Sequence, residues 1–167
     1  MLVLGIDPGT ATTGYGLVQE NRDGSLTAVS FGVIKTEAGK PMPERLLSLY
    51  GELSEILLLH RPQSGAVEKL FFQRNVTTAL SVGQARGVVL LALAQNELPV
   101  AEYTPMEIKQ AVAGYGGADK QQVQQMVRAL LDLDEVPRPD DAADALAVAI
   151  CHLHSAHTQS LFDQYRS

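Results

Sequence analysis

Two short apolar runs in this chain each end in a carboxylate, and that pattern restricts the possible fold more than any other feature. The first is Leu2-Val3-Leu4-Gly5-Ile6-Asp7, stopped by Pro8-Gly9; the second is Gly65-Ala66-Val67-Glu68. Runs of this length, bounded by turn residues, read as buried strands. An ionised carboxylate resists burial unless something positive compensates it. Acids at the ends of two buried strands therefore point to strand ends that lie together and share a countercharge. A third acidic signature, Asp141-Ala142-Ala143-Asp144, puts two acids on one face of a predicted helix. Two divalent cations would compensate such a set and make a phosphodiester-cleaving site.

The rest of the chain supplies the elements that could bring these ends together. Residues 2–7, 13–19 and 25–36 read as three strands, the last two joined by the turn Asn21-Arg22-Asp23-Gly24, and so as an antiparallel meander. Leu46, Leu49, Leu53, Ile56 and Leu57 follow helical spacing over residues 43–60, and Arg61-Pro62 ends that helix. Residues 64–69 then form a fourth strand, reached by a crossover as in βαβ units. Helices are expected over 77–97, 105–113, 120–133 and from 140 to about 154, with a fifth strand over 98–103. The fold class is therefore α/β: three antiparallel strands, then two helix-connected parallel strands, in one mixed sheet with helices on both faces. Ligands of open α/β sheets sit beyond the strand ends near the topological switch point. Asp7 and Glu68 meet there if the first and fourth strands are neighbours. One domain over residues 1–155 is expected, followed by a polar, flexible tail over 156–167.

Each acid also has an ordinary role open to it. Asp7 could close its own Asp-Pro-Gly turn. Glu68 could pair with Lys69 or another base at a strand end, and Asp141 and Asp144 could serve the helix dipole. Asp140, beside the prolines, reads as an N-cap. All four site acids arising this way, in an order that lets them converge, is the less economical account.

Composition adds limits. At 46% hydrophobic and 19% charged the chain is globular, not disordered. Its net charge of −6 argues, taken alone, against a nucleic-acid partner. Cations held by four acids would cancel roughly four of those charges where a phosphate approaches. The longest apolar stretch, residues 87–94, is too short to span a bilayer, so no membrane role is expected. The N-terminus carries no basic leader, and the single cysteine, Cys151, fits a small buried hydrophobe in a reducing compartment; a cytoplasmic location is expected. His60, His152, His154 and His157 have no ligand spacing with the acids and read as surface or helix-end residues.

Several blocks, in order, resemble the RuvC family of Holliday-junction resolvases. They are Leu4-Gly5-Ile6-Asp7-Pro8-Gly9-Thr10 with Thr13-Gly14-Tyr15-Gly16, then Val67-Glu68-Lys69-Leu70-Phe71, Gly83-Gln84-Ala85-Arg86-Gly87, Val123-Gln124-Gln125-Met126-Val127, and Asp141-Ala142-Ala143-Asp144-Ala145-Leu146-Ala147. The resemblance runs from residue 1 to about 155. It implies a ribonuclease-H-like fold, a homodimer, and Mg²⁺- or Mn²⁺-dependent cutting of four-way DNA junctions to leave 5′-phosphate ends. It places Asp7, Glu68, Asp141 and Asp144 at the metal positions, with two ions per active site. It also implies the RuvA–RuvB branch-migration complex as a partner.

The same resemblance puts Lys109 and Lys120 at DNA-contacting positions flanking the Gly114–Gly117 loop; Lys120, nearer that loop and the expected active centre, is expected to act in the reaction as well. Lys120 is unusual at a helix N-terminus, where a cation opposes the dipole, and a nearby phosphate would explain it; a solvated surface lysine is the alternative. Lys69 and Arg74 could touch the junction backbone, contacts that give affinity but no sequence readout. Phe71 matches the family's aromatic position for stacking on an unpaired base, while the neighbouring Phe72 departs from the pattern, so either ring could be the one that stacks. Packing of both rings on the next helix is the alternative. The helix over 77–97 is apolar almost all round, and its excess is expected to form the subunit contact.

Two other readings remain at this stage. An actin- or Hsp70-like ATPase or sugar kinase shares the opening phosphate-loop pattern, but needs two such domains and gives the helical acids no role. A related single-domain nuclease could act on RNA instead.

Overall fold

The structure, a computed structural model, describes residues 1–69 and 76–166 of the 167. The chain order is β1 (Leu2–Asp7), β2 (Thr12–Glu20), β3 (Leu26–Lys35), α1 (Met42–His60), β4 (Ser64–Glu68), α2 (Val76–Gln95), β5 (Val100–Tyr103), α3 (Pro105–Ala113), α4 (Lys120–Leu130) and α5 (Asp140–Arg166). Five strands form one sheet in the order β3-β2-β1-β4-β5. The β1–β2 and β2–β3 pairs are antiparallel; β1–β4 and β4–β5 are parallel. This is the expected ribonuclease-H-like arrangement, with β1 and β4 as neighbours at the switch point.

Side-chain alternation along the strands sorts the interior into two halves. Leu4, Ile6 and Val67 face α1 and α2, where Leu49, Leu53, Leu57, Ala85, Val89 and Leu93 complete one core. Val3 and Ala66 face the other way, toward α5, α3 and α4, with Leu146, Ile150, Ile108 and Val127. Asp7 and Glu68 follow Val3-x-Gly5 and Ser64-x-Ala66 in parity, so both emerge on the α5 face.

Local chemistry explains the element ends. The β2–β3 turn closes through Asn21 N–H donating to Ser25 O at 2.8 Å, with Gly24 at φ +83°. Helix α1 stops at Arg61, held at φ +47° ahead of Pro62. Thr104 with Glu107 and Asp119 with Gln122 form reciprocal capping boxes that start α3 and α4.

Two expectations need correction. Helix α5 runs on to Arg166 rather than ending near His154, because Ser155 and the residues after it contain neither glycine nor proline to stop it. His152 is not a surface or helix-end residue. It lies on the sheet-facing side of α5, where its ring bridges Tyr103 Oη (2.9 Å) and Ser64 Oγ (3.1 Å) and ties α5 to β4 and β5. Cys151 is buried beside it as expected, and burial pushes its thiol up to about 11.

Candidate active site

Three elements converge at the C-terminal ends of β1 and β4. The parallel pairing of these strands ends at Ile6 with Val67, and Asp7 and Glu68 are the next residues along each. Their carboxyls hydrogen-bond one another. The turn after Asp7 does not use it: Thr13 Oγ1 donates to Gly9 O at 2.7 Å and closes that turn itself. Among the described residues Glu68 makes no ion pair with Lys69, whose backbone N–H instead extends the β4–β5 ladder to Tyr103 O. Asp7 thus does not close its own turn, and Glu68 feels Lys120 and Lys109 instead of Lys69.

The helical acids arrive through close packing. A Cβ on Gly5 would overlap the Ala145 carbonyl, and one on Gly14 would overlap the Asp141 carbonyl. A Cβ on Gly16 would lie 2.8 Å from Leu146 N. Glycine at these positions of β1 and β2 lets the first turns of α5 lie directly on the sheet. That contact sets Asp141 and Asp144 beside the strand ends. Ala142, Ala143 and Ala145 are fully packed around them.

The electrostatics follow from this crowding. Burial is the main cause that pushes the Asp7 carboxyl up to about 8, reinforced by the negative charge of Glu68, Asp144 and Asp141. Glu68 is also raised by burial, against the pull of its Asp7 hydrogen bond and of Lys120 and Lys109. Asp144 is raised by burial and pulled back by Lys120. Lys120 reaches across from the first residue of α4, its Nζ 3.1 Å from Asp144 Oδ2 and 3.3 Å from Asp140 Oδ2. Partial burial works against its charge, yet the two carboxylates outweigh burial and raise its pKa. Lys120 is thus a half-exposed lysine held by two carboxylates of α5, which offset its position against the dipole.

Glu68, Lys109, Lys120 and Asp144 line one cleft of about 180 Å³, walled by Ile108, Val123 and Ala147. Lys69 is exposed and is not among the residues lining this cleft. Phe71, Phe72 and Arg74 lie outside the described residues. Asp140 is not an N-cap: Ala142 N–H donates to Pro139 O, which makes Pro139 the cap, and the Asp140 carboxylate goes to Lys120 and Arg138. The role of Asp140 toward Lys120 had no signal in sequence spacing, since the two are twenty residues apart.

The donors are all carboxylate oxygens, which suits hard divalent cations such as Mg²⁺ or Mn²⁺. Buried negative charge that is only partly balanced by Lys120 is the physical sign that a cation fits here. Among the described residues no three His, Cys, Asp or Glu side chains are drawn tightly enough to enclose an ion as they stand. Asp7 and Glu68 are turned to each other and Asp144 is turned to Lys120.

The family model described as crossover junction endodeoxyribonuclease RuvC matches residues 3–152. A protein of that name from Desulfitobacterium hafniense is 64% identical over 157 residues, covering 94% of each chain. Another, from Chloroflexus aurantiacus, is 60% identical over 162 residues, 97% of this chain and 98% of its own. The solved structure of Thermus thermophilus RuvC in complex with a Holliday junction substrate superposes with a TM-score of 0.87 at 39% identity, covering 95% of this chain and 96% of that one. A family model over most of the chain, relatives of this identity and a solved structure of the same fold agree, and the chain is a member of the RuvC family of crossover junction endodeoxyribonucleases.

Proposed function

We propose that this protein cuts four-way DNA junctions by metal-dependent hydrolysis from a site formed by Asp7, Glu68, Asp141 and Asp144. The observation that carries this reading is the convergence of two strand-end acids and two helix acids on one side of the sheet, with their burial pushing Asp7 up to about 8. Two bound Mg²⁺ or Mn²⁺ ions would supply an activated water and charge stabilisation of the leaving 3′ oxygen. The chain's own residues then do the following. Asp7 and Glu68 would hold a cation once their shared proton has passed to solvent. Asp141 and Asp144 are presented by α5 from the opposite side. Lys120 and Lys109 face the cleft and balance phosphate charge. No Ser/His or Cys/His pair takes part, so cleavage proceeds without a covalent intermediate.

Lys69, Lys109 and Lys120 are assigned to DNA contacts; Phe71, Phe72 and Arg74 keep that assignment from the sequence reading. A homodimer suits a substrate with two equivalent strands to cut. Support for it comes from α2, which presents Leu80 and Leu91 to solvent on either side of Gly87, where an added Cβ would meet nothing. Cooperation with the RuvA–RuvB complex and a cytoplasmic location complete the reading. No described helix is long and apolar enough to cross a membrane.

The test is incubation of the protein with a synthetic immobile junction, with and without Mg²⁺ or Mn²⁺. Paired nicks in opposing strands are expected only with metal. Asp7→Asn and Asp141→Asn should each abolish cutting while junction binding persists. Cutting near the wild-type rate in either variant removes that residue from the site.

A further inference from the structure

Lys120 has two carboxylate partners, and only one of them belongs to the proposed metal set. We infer that Asp140, backed by Gln124, is a positioning residue that keeps the Lys120 ammonium at the cleft when Asp144 turns to a cation. The inference rests on the functional reading above.

The geometry divides the work. Asp140 and Asp144 are four apart on α5 and so share one edge of the helix. Lys120 Nζ bridges them, 3.3 Å from Asp140 Oδ2 and 3.1 Å from Asp144 Oδ2. The other Asp140 oxygen, Oδ1, accepts from Arg138 Nη1 at 2.6 Å. From below, Gln124 lies four residues after Lys120 on α4 and is only 8% exposed. Its amide lies near Asp140. Yet its Nε2 completes no hydrogen bond. A buried amide left with spare donor capacity beside Asp140 is suited to a carboxylate whose partners change.

The competition is simple. A cation taken by Asp144 repels an ammonium on the same carboxylate. A long side chain with no other partner would then be released into solvent and recover its rotamer freedom. Asp140 supplies the second anchor, so Asp144 exchanges one positive partner for another while Lys120 stays beside Glu68 and Lys109 on the cleft wall. Without Asp140, the lysine and the metal would contend for Asp144 alone.

The experiment measures Mn²⁺ binding to the full-length protein without DNA, by calorimetry or by the resonance of free Mn²⁺. Four proteins are compared: wild type, Asp140→Asn, Lys120→Met and the double variant. Asp140→Asn should weaken Mn²⁺ binding by about threefold to tenfold when Lys120 is present, and by less than about twofold in the Lys120→Met background. Asp140→Glu should restore the wild-type value, since the longer carboxylate still reaches the ammonium. In the Mg²⁺-saturated protein the Lys120 side-chain resonance should stay distinct from solvated lysines in wild type and join them in Asp140→Asn. Equal weakening with and without Lys120 would overturn the inference, because Asp140 would then act only as a distant charge. Mn²⁺ binding that Asp144→Asn leaves unchanged would sink the metal-site reading itself, and this inference with it.

Discussion

The two halves of the site are held by different means. Asp7 and Glu68 stand at the ends of neighbouring parallel strands, where the backbone ladder determines their spacing. Asp141 and Asp144 ride on a helix whose place depends on contact with Gly5, Gly14 and Gly16. The strand half is the more deeply buried, and its carboxyls bond each other. The helix half has Lys120 attached and one flank open to solvent. Strand pairing gives a closely held pair of acids, with burial favouring the protonated form of Asp7. Helix packing gives an adjustable pair whose charge is already partly balanced.

Gly14→Val is the sharpest way to break the comparison, since it leaves every acid in place and attacks only the helix seat. The added side chain must push α5 away at Asp141. Stability should fall by about 3 kcal/mol in urea unfolding, and single-turnover cutting by about 100-fold or more. A Gly14→Val protein with wild-type cutting would show that helix placement does not depend on this contact.

A smaller effect of opposite sign is expected in the strand half. Asp7→Asn should stabilise the metal-free protein by about 1–3 kcal/mol at pH 7.5, while Asp144→Asn, whose charge is already met by Lys120, should change it by less than about 1 kcal/mol. Equal shifts for the two variants in denaturant titrations would erase the distinction between the halves.

The pH dependence follows the same logic. Asp7 has a folded-state pKa raised from 3.8 to about 8. Between those values the folded state holds more protons than the unfolded state, so Asp7's contribution to metal-free stability is full below the lower value and lost as pH rises toward 8. Thermal scans in chelator should therefore show the melting temperature falling from pH 5.5 to pH 8, with a weaker trend in Asp7→Asn. Saturating Mg²⁺ should flatten the wild-type trend, because the cation takes the proton's place.

The smallest expected change lies at the cleft wall. Lys109→Ala should reduce the slope of log junction affinity against log salt by about one unit, as loss of one phosphate contact does. Lys120→Ala should do the same and also slow cutting of bound junction. An unchanged slope in filter-binding titrations would return Lys109 to a solvated role.

Much of this was legible beforehand because it is local. The strand at residues 2–7 and the helix at 105–113 are written in short-range alternation and punctuation, and both occur where expected. Small departures fall where a single backbone angle decides. Glu97 at φ +55° and Asp132 at φ +50° end α2 and α4 earlier than apolar content suggests. The acids were legible as a set because burial of charge at strand ends has few explanations. Asp140 was misread because capping is a local rule, and its carboxylate was claimed by a lysine from another helix. His152 was misread for the same reason, its partners lying on β4 and β5.

By itself the sequence determined the elements, their order, the polarity of each strand face and the placing of two acids at strand ends and two on one helix face. These follow from spacing, turn chemistry and the cost of burying charge, all of which act along the chain. Only the tertiary structure decided how far those acids are already neutralised. The Asp7–Glu68 hydrogen bond and the Lys120 bridge between Asp140 and Asp144 depend on distances between elements, and no pattern within one element encodes them. Glycine made that proximity possible, since its missing side chain is what lets α5 lie directly on β1 and β2.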